Sequence, residues 1–253
     1  MRIGILGAMN EEIALLQEIM VVKSIKELAG RIFYIGSINN IETVLVLAKV
    51  GKVAAAITTT LLIQEFAVDA ILFTGLAGAV ALDLNIGDIV VSNTLVQHDL
   101  DASPIFPQYE IPLLGISSVD ASQILNQQLR TAIQHFLQNS FHQNIEPKML
   151  SSLGITEPKL HFGTIASGDQ FVKEAAITHK IRTDFTDAKC VEMEGAAVAQ
   201  VCYEWGLPFS VVRIISDKAD HSADIDFPKF LEVASIYSRE IINSLLQSNL
   251  SLK

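Results

Sequence analysis

Only two of the 253 residues are cysteines, Cys190 and Cys202, and both lie in apolar surroundings. They read as small buried hydrophobes in a reducing compartment, not as a disulfide or metal framework. Basic residues are scarce too: 18 Lys and Arg stand against 28 Asp and Glu, a net charge of −10, with no Lys/Arg cluster. A nucleic-acid partner is not expected, because phosphate contacts need a basic footprint. No run of about eighteen apolar residues exists, so no membrane-spanning segment is expected. The six histidines show no H-x3-H or H-E-x-x-H spacing, so no metal site is expected, and no cofactor either. A G-x-S-x-G elbow, a Walker loop and a G-x-G-x-x-G fingerprint are all missing, which weakens acyl transfer, phosphoryl transfer and dinucleotide binding. The start, MRIGILGAM, has one Arg and a short apolar run before Asn10-Glu11-Glu12, unlike a secretory leader. A soluble cytoplasmic protein is expected.

What is present is a large hydrophobic share, 50% of the residues, enough for a sizeable core. The length and the absence of a linker predict one α/β domain over residues 1–253. Ile3–Leu6 reads as a buried strand, followed by a turn and a helix that Asn10 can cap, with Ile13, Leu16, Ile19 and Met20 inward. Arg31–Ile38 and Ile41–Val50 flank Asn39-Asn40, a hairpin signal. A helix over Val53–Phe66 and a strand over Ala70–Thr74 lead to Gly75-Leu76-Ala77-Gly78, read as a glycine-rich turn. Ile89–Val96 and His161–Ala166 are further strands, Gln123–Phe141 and Lys173–Arg182 helices. Residues 101–117, with three prolines, form a long irregular loop of the kind that serves a site or an interface. The last helix opens near Asp226 and Pro228 and carries Phe227, Phe230, Leu231, Ala234, Tyr237, Ile241 and Leu245 on its packed face. A hairpin mixed with strand–helix alternation predicts a three-layer α/β/α sandwich with a mixed central sheet.

The chemistry concentrates between Cys190 and Asp220, CVEMEGAAVAQVCYEWGLPFSVVRIISDKAD. A strand ending near Met193 precedes a helix with Val198, Val201, Cys202 and Trp205 on one face, stopped by Gly206 and Pro208. Phe209–Ile215 then reads as a strand buried on both sides, interrupted by Arg213. A buried arginine needs a partner, and Glu192, Glu194 and Asp217 are the near candidates. Each acid taken alone is equally a helix cap or a solvated loop residue, and Glu11 and Glu12 suit a helix N-terminus without any further role. Phe171 is either core or a flat platform for a base. Separated acids near Glu12 and Asp217 suit glycosidic-bond cleavage, in which one group activates water and another protonates the leaving group. The residues alone stop at an acidic-site α/β enzyme.

Seven motifs extend that reading: GAMNEE at 7–12, GKVAAA at 51–56, TGLAGA at 74–79, GDIVVS at 87–92, SGDQFV at 167–172, VEMEGAAVA at 191–199 and VRIISDKAD at 212–220. In this order and register the chain resembles the 5′-methylthioadenosine/S-adenosylhomocysteine nucleosidases of the nucleoside phosphorylase superfamily. The resemblance implies a nucleoside phosphorylase-like fold, a homodimer, and hydrolysis of the N-glycosidic bond of small 5′-thioadenosine nucleosides. By motif, Glu12 would be the base that activates water, and Asp217 would protonate adenine N7, steadied by Ser216. Glu194 would accept hydrogen bonds from the ribose hydroxyls, with Met193 packed under the sugar. Arg213 would help hold the water and Glu12. Phe171 would stack on adenine while the Val172 backbone reads its edge, and Ala8, Gly78 and Phe227 would line the site. Leu76 stands where many members have a serine, Ala79 where many have a glycine, and VEMEGAA replaces VEMEATA. Some members with Gln-His-Asp, present here at 97–99, and an aliphatic residue at position 76 also cleave 6-amino-6-deoxyfutalosine, which stays open as an alternative substrate. A purine nucleoside phosphorylase on the same fold is a second alternative, although a carboxylate at Glu12 would repel phosphate.

Overall fold

A computed structural model describes residues 1–7, 9–219, 227–248 and 250–252. Strand β1 (Arg2–Gly7) leads to helix α1 (Asn10–Glu18), then to three antiparallel strands, β2 (Val21–Leu28), β3 (Arg31–Ile38) and β4 (Ile41–Leu47). Helix α2 (Lys52–Phe66) follows, then β5 (Ala70–Ala79), β6 (Ile89–Gln97), the two-residue β7 (Val119–Asp120) and α3 (Gln123–His135). Past a π-helical turn at Phe136–Ser140 come the short α4 (Phe141–Asn144) and α5 (Pro147–Ser152), then β8 (Leu160–Ser167) and α6 (Ala175–Asp184). The chain ends with β9 (Ala188–Glu192), α7 (Gly195–Trp205), β10 (Phe209–Asp217) and α8 (Phe227–Gln247).

Among the described residues ten strands form one mixed sheet in the order β10-β6-β8-β9-β5-β1-β4-β3-β2, with β7 on β6. Strand β10 also pairs with β5, so β5, β10, β6, β8 and β9 close a ring. Helices cover both faces, as the three-layer expectation required. Leu16 of α1, Leu125 and Leu129 of α3 and Phe230 and Tyr237 of α8 pack on one face, against Ile3, Ile5, Leu72, Val212 and Ile214. Leu62 and Phe66 of α2 with Val198 and Cys202 of α7 pack on the other, against Leu6, Phe73, Val211 and Ile215. The two-residue alternation of a strand sorts Val211, Arg213 and Ile215 from Val212 and Ile214.

Local signals explain most boundaries. Asn39 and Asn40 take φ of 49° and 65°, the left-handed pair that a two-residue hairpin requires. Gly206 caps α7 at φ 64°. In α2, Ala55, Thr58, Thr59, Leu62 and Phe66 are buried at helical spacing.

Several expectations need correction. Val21–Leu28 is a strand that no burial pattern announces, because as an edge strand it is exposed along nearly its whole length. Residues 75–78 are no turn: they continue β5, paired to β10 and β9. Met9 rather than Asn10 is the N-cap of α1. Trp205 is exposed, and α7 instead buries its small residues Gly195–Ala199, which let it lie close to the sheet. Phe227 is likewise exposed rather than packed. Asp226 and Ala8 lie outside the described residues.

Candidate active site

The site is built where β1, β5, β9 and β10 end. A cavity of ≈ 280 Å³ is lined by Met9, Glu12, Val50, Leu76, Ala77, Gly78, Gln170, Phe171, Val172, Val191, Glu192, Met193, Glu194, Ser216, Asp217 and Phe227. Nine of the residues singled out from sequence therefore meet in one place: Glu12, Gly78, Phe171, Val172, Met193, Glu194, Ser216, Asp217 and Phe227.

Glu12 projects from the first turn of α1 and is 4% exposed. Its Oε2 accepts the Met9 N–H at 2.9 Å, and Oε1 accepts the Leu76 N–H at 3.2 Å. The close approach to β5 depends on Gly75: a Cβ there would stand 2.9 Å from Glu12 Oε1 and 3.3 Å from Arg213 Nη1. Thus the glycine-rich stretch has a reason, though not the one that a turn supplies.

Asp217 ends β10 beyond a bulge. Ile215 pairs with Ala77 and Asp217 with Gly78, leaving Ser216 unmatched. Regular alternation along 213, 215 and 217 is broken there, and the bulge re-aims the aspartate. Ser216 Oγ donates to Asp217 Oδ2 at 2.7 Å, and the Ala219 N–H donates to Oδ1 at 2.7 Å. A Cβ on Gly78 would meet Asp217 Oδ1 at 2.9 Å, so this glycine also makes room for an acid. Gly75 and Gly78 are three residues apart along β5, so the two acids reach the strand at points about 10 Å apart.

Glu194 is the N-cap of α7, buried, and its Oε1 accepts the Gly51 N–H at 2.7 Å. Burial and then the neighbouring Glu192 push its carboxyl up to about 7, with Glu12 adding to the rise and the Gly51 N–H and Arg213 opposing it. Arg213 is fully buried and lines no part of the cavity. Its Nη2 donates to Glu192 Oε2 at 2.6 Å, its Nη1 donates to the Val212 carbonyl at 3.0 Å, and the guanidinium lies 4.0 Å over the Phe73 ring. Arg213 forms its salt bridge with Glu192, and the charge of Glu12 acts on it as well. Phe171 lines the cavity while 72% exposed, and Val172 behind it is buried.

Sequence reasoning left out Met9, Gln170 and the Gly51 amide. All three lie inside the quoted motifs, but the contact of the third with Glu194 spans 143 positions, and no local signal marks that pairing. Another group braces the rim: Lys52 Nζ lies 2.6 Å from Asp99 Oδ1, and Asp99 Oδ2 accepts the Asp169 N–H at 2.7 Å. That ties the start of α2 to the segment carrying Gln170 and Phe171. No group of three or more His, Cys, Asp or Glu suited to hold a metal occurs among the described residues.

Buried acids gathered around the ends of a mixed, helix-covered sheet define a nucleoside phosphorylase-like protein, and residues 2–247 match the family model described as phosphorylase superfamily. A 5′-methylthioadenosine/S-adenosylhomocysteine nucleosidase of Staphylococcus carnosus is 39% identical over 97% of this chain and 99% of its own. The nucleosidase of that name from Neisseria meningitidis, solved with methylthio-immucillin-A, superposes with a TM-score of 0.85 at 32% identity, over 98% of this chain and 99% of the other. A futalosine hydrolase of Helicobacter pylori superposes with a TM-score of 0.80 at 37% identity, over 96% of both chains. The chain belongs to the 5′-methylthioadenosine/S-adenosylhomocysteine nucleosidase family of that superfamily.

Proposed function

We propose that this protein hydrolyses the N-glycosidic bond of 5′-methylthioadenosine and S-adenosylhomocysteine, releasing adenine and the 5′-thioribose. One observation carries the reading: Glu12, Glu194 and Asp217 line a single cavity whose wall also holds Phe171 and Met193. Cleavage of a ribosyl bond passes through an oxocarbenium-like state that carries positive charge, which anions nearby stabilise. Glu12, held by two backbone amides, takes the proton from the attacking water. Adenine leaves poorly as an anion, so Asp217, braced by Ser216, delivers a proton to N7. Glu194 accepts the ribose hydroxyls, and Met193 packs under the sugar. Phe171 stacks on the base while the Val172 backbone reads its edge, and Gly78 and Phe227 complete the wall. Arg213, buried behind the cavity, helps hold the water and Glu12.

The chain works as one domain, in the cytoplasm, as a homodimer. In that dimer the segment 101–117, with Phe106 and Pro112, reaches the partner's site and covers the 5′ substituent. Support comes from Ile105 and Leu113, 82% and 89% exposed, on a segment that Tyr109 nonetheless fastens to Asp184 and Phe185. Large apolar side chains held in water favour burial against another surface.

A second substrate is supported by the resemblance in fold and sequence to the Helicobacter futalosine hydrolase, together with the aliphatic Leu76 on the wall: a 6-amino-6-deoxyfutalosine. One panel separates these readings. Adenine release is followed by chromatography from methylthioadenosine, S-adenosylhomocysteine and aminofutalosine, with and without phosphate. Adenine and a free thioribose are expected from the first two. A ribose 1-phosphate product would make the protein a phosphorylase, and no release from any of the three would refute the enzyme reading.

A further inference from the structure

Glu192 has no place in the reaction just proposed, yet donors from three elements converge on its carboxylate. From β10, Arg213 Nη2 reaches Oε2 at 2.6 Å. From the start of α7, the Gly195 N–H lies 2.9 and 2.8 Å from the two oxygens, and the Glu194 N–H 3.2 Å from Oε2. From the end of β8, the Ser167 hydroxyl donates to Oε1 and itself accepts the Ala196 N–H at 2.7 Å. A carboxylate at a helix N-terminus is stabilised by the helix dipole as well as by these bonds. The tight closure depends on Gly195, where a Cβ would come within 3.2 Å of both Glu192 oxygens and 2.8 Å of Leu95 Cδ2.

Glu192 therefore holds the start of α7, whose N-cap is Glu194. We propose that Glu192 is a positioning residue for Glu194: it fixes where the second carboxylate enters the cavity and holds a second negative charge beside it. The proposal rests on the nucleosidase reading for its kinetic arm only. The groups facing Glu194 are Glu192 from β9, Arg213 from β10, Glu12 from α1 and the Gly51 N–H ahead of α2, with Asp217 in the same cavity. His98, at the end of β6, stands against Gly168 and feels Glu192. Among these, Glu192 raises Glu194 more than Glu12 does, and more than Arg213 lowers it. Removing its charge must therefore ease the ionisation of Glu194.

Two substitutions separate position from charge. Glu192→Gln keeps the shape and loses the charge. Glu192→Asp keeps the charge and withdraws it by one methylene. The Glu194 carboxyl is followed by carbon-13 NMR in glutamate-labelled full-length protein, with Glu194→Gln identifying its resonance. This measurement needs no substrate, so inactivity of the wild type would refute the nucleosidase reading and leave the present one standing. In Glu192→Gln the titration, and the acidic limb of kcat/KM, are expected to lie at lower pH than in the wild type. In Glu192→Asp both midpoints move less than in the Gln variant, while kcat falls by about 10²-fold, the effect of a misplacement on the order of 1 Å. Should the Gln variant fail to fold because Arg213 is left unpaired, Glu192→Gln/Arg213→Met removes both charges, and its Glu194 midpoint is again expected below that of the wild type. A Glu194 midpoint that is unmoved or raised in the foldable charge-free variant, or wild-type kcat in Glu192→Asp, overturns the proposal.

Discussion

Asp88 and Glu194 are both carboxylates withdrawn from solvent, 1% and 5% exposed, but their surroundings differ in kind. Asp88 sits just ahead of β6. Its Oδ1 accepts the Lys159 N–H at 2.7 Å, while Oδ2 accepts the Asn85 N–H at 2.8 Å and lies 3.2 Å from His161 Nε2. Donors surround it and it fastens three segments. Glu194 accepts the Gly51 N–H, opens onto a cavity, and shares its neighbourhood with two more carboxylates, Glu12 and Glu192, and with the guanidinium of Arg213. A buried acid matched by donors is a structural fastening. A buried acid in a surplus of its own sign holds its charge at the expense of stability, which is tolerated where chemistry uses that charge.

The contrast is sharpest at Glu12. Glu12→Gln is expected to lower kcat by roughly 10²–10⁴ with substrate binding nearly intact. Steady-state kinetics read this directly, and a kcat within threefold of wild type would place Glu12 with Asp88 among the fastenings.

Asp217→Asn keeps a hydrogen-bonding shape but has no proton to give. Adenine release is expected to fall at least about 10²-fold, some 2.7 kcal/mol of barrier. A ribosyl substrate with p-nitrophenol as leaving group needs no donor, so it should lose much less. Equal losses on both substrates would reduce Asp217 to a positioning group.

Gly75→Ala tests whether the acids depend on the backbone beside them. The added Cβ would press on Glu12 Oε1 at 2.9 Å. A displacement on the order of 1 Å predicts a loss of up to about 10²-fold in kcat. Full activity in a folded Gly75→Ala protein would show that the carboxylate has freedom the packing does not suggest.

For Glu194, stability and activity depend on pH with opposite signs. The Glu194 carboxyl is raised to about 7 in the fold, from 4.5 as its ordinary value. Protonation therefore favours the folded state: this stabilising contribution is complete below about 4.5 and is lost as pH rises through about 7. It amounts to something on the order of 3 kcal/mol. Activity runs the other way, because the anion binds the ribose, so kcat/KM should fall as pH drops below about 7. Thermal melts across this range should show stability declining with rising pH in the wild type and a flatter profile in Glu194→Gln. Asp88→Asn should do the opposite to catalysis, leaving kcat unchanged while lowering unfolding stability by about 1–3 kcal/mol through mismatched buried donors.

Much of this protein was legible in its sequence. Helical spacing of apolar residues and short continuous apolar runs placed α1, α2, α8, β1, β6 and β10 within a few residues of their observed bounds. The Asn39-Asn40 turn was marked by its own side chains. Nine site residues were named before their meeting place was known, eight of them carried by seven short motifs and Phe227 lying beyond the last. These are local properties: propensity, periodicity and turn chemistry act over a handful of neighbours.

Tertiary structure decided the rest. Strand β2 had no signal because an exposed edge strand buries no face. The stretch 75–78 reads locally as a turn, since glycines favour turns, but pairing with β9 and β10 keeps it extended and turns the missing Cβ atoms into room for Glu12 and Asp217. The bulge at Ser216 that aims Asp217 arises from the register between β10 and β5, which no single strand contains. Arg213 announced that it needed a partner, but the choice of Glu192, 21 residues away, and the Gly51 amide 143 residues from Glu194, came with the closing of the sheet. The sequence alone named the acids. Which of them is neutralised, and which keeps its proton until about pH 7, depends on burial and charge brought together from distant parts of the chain.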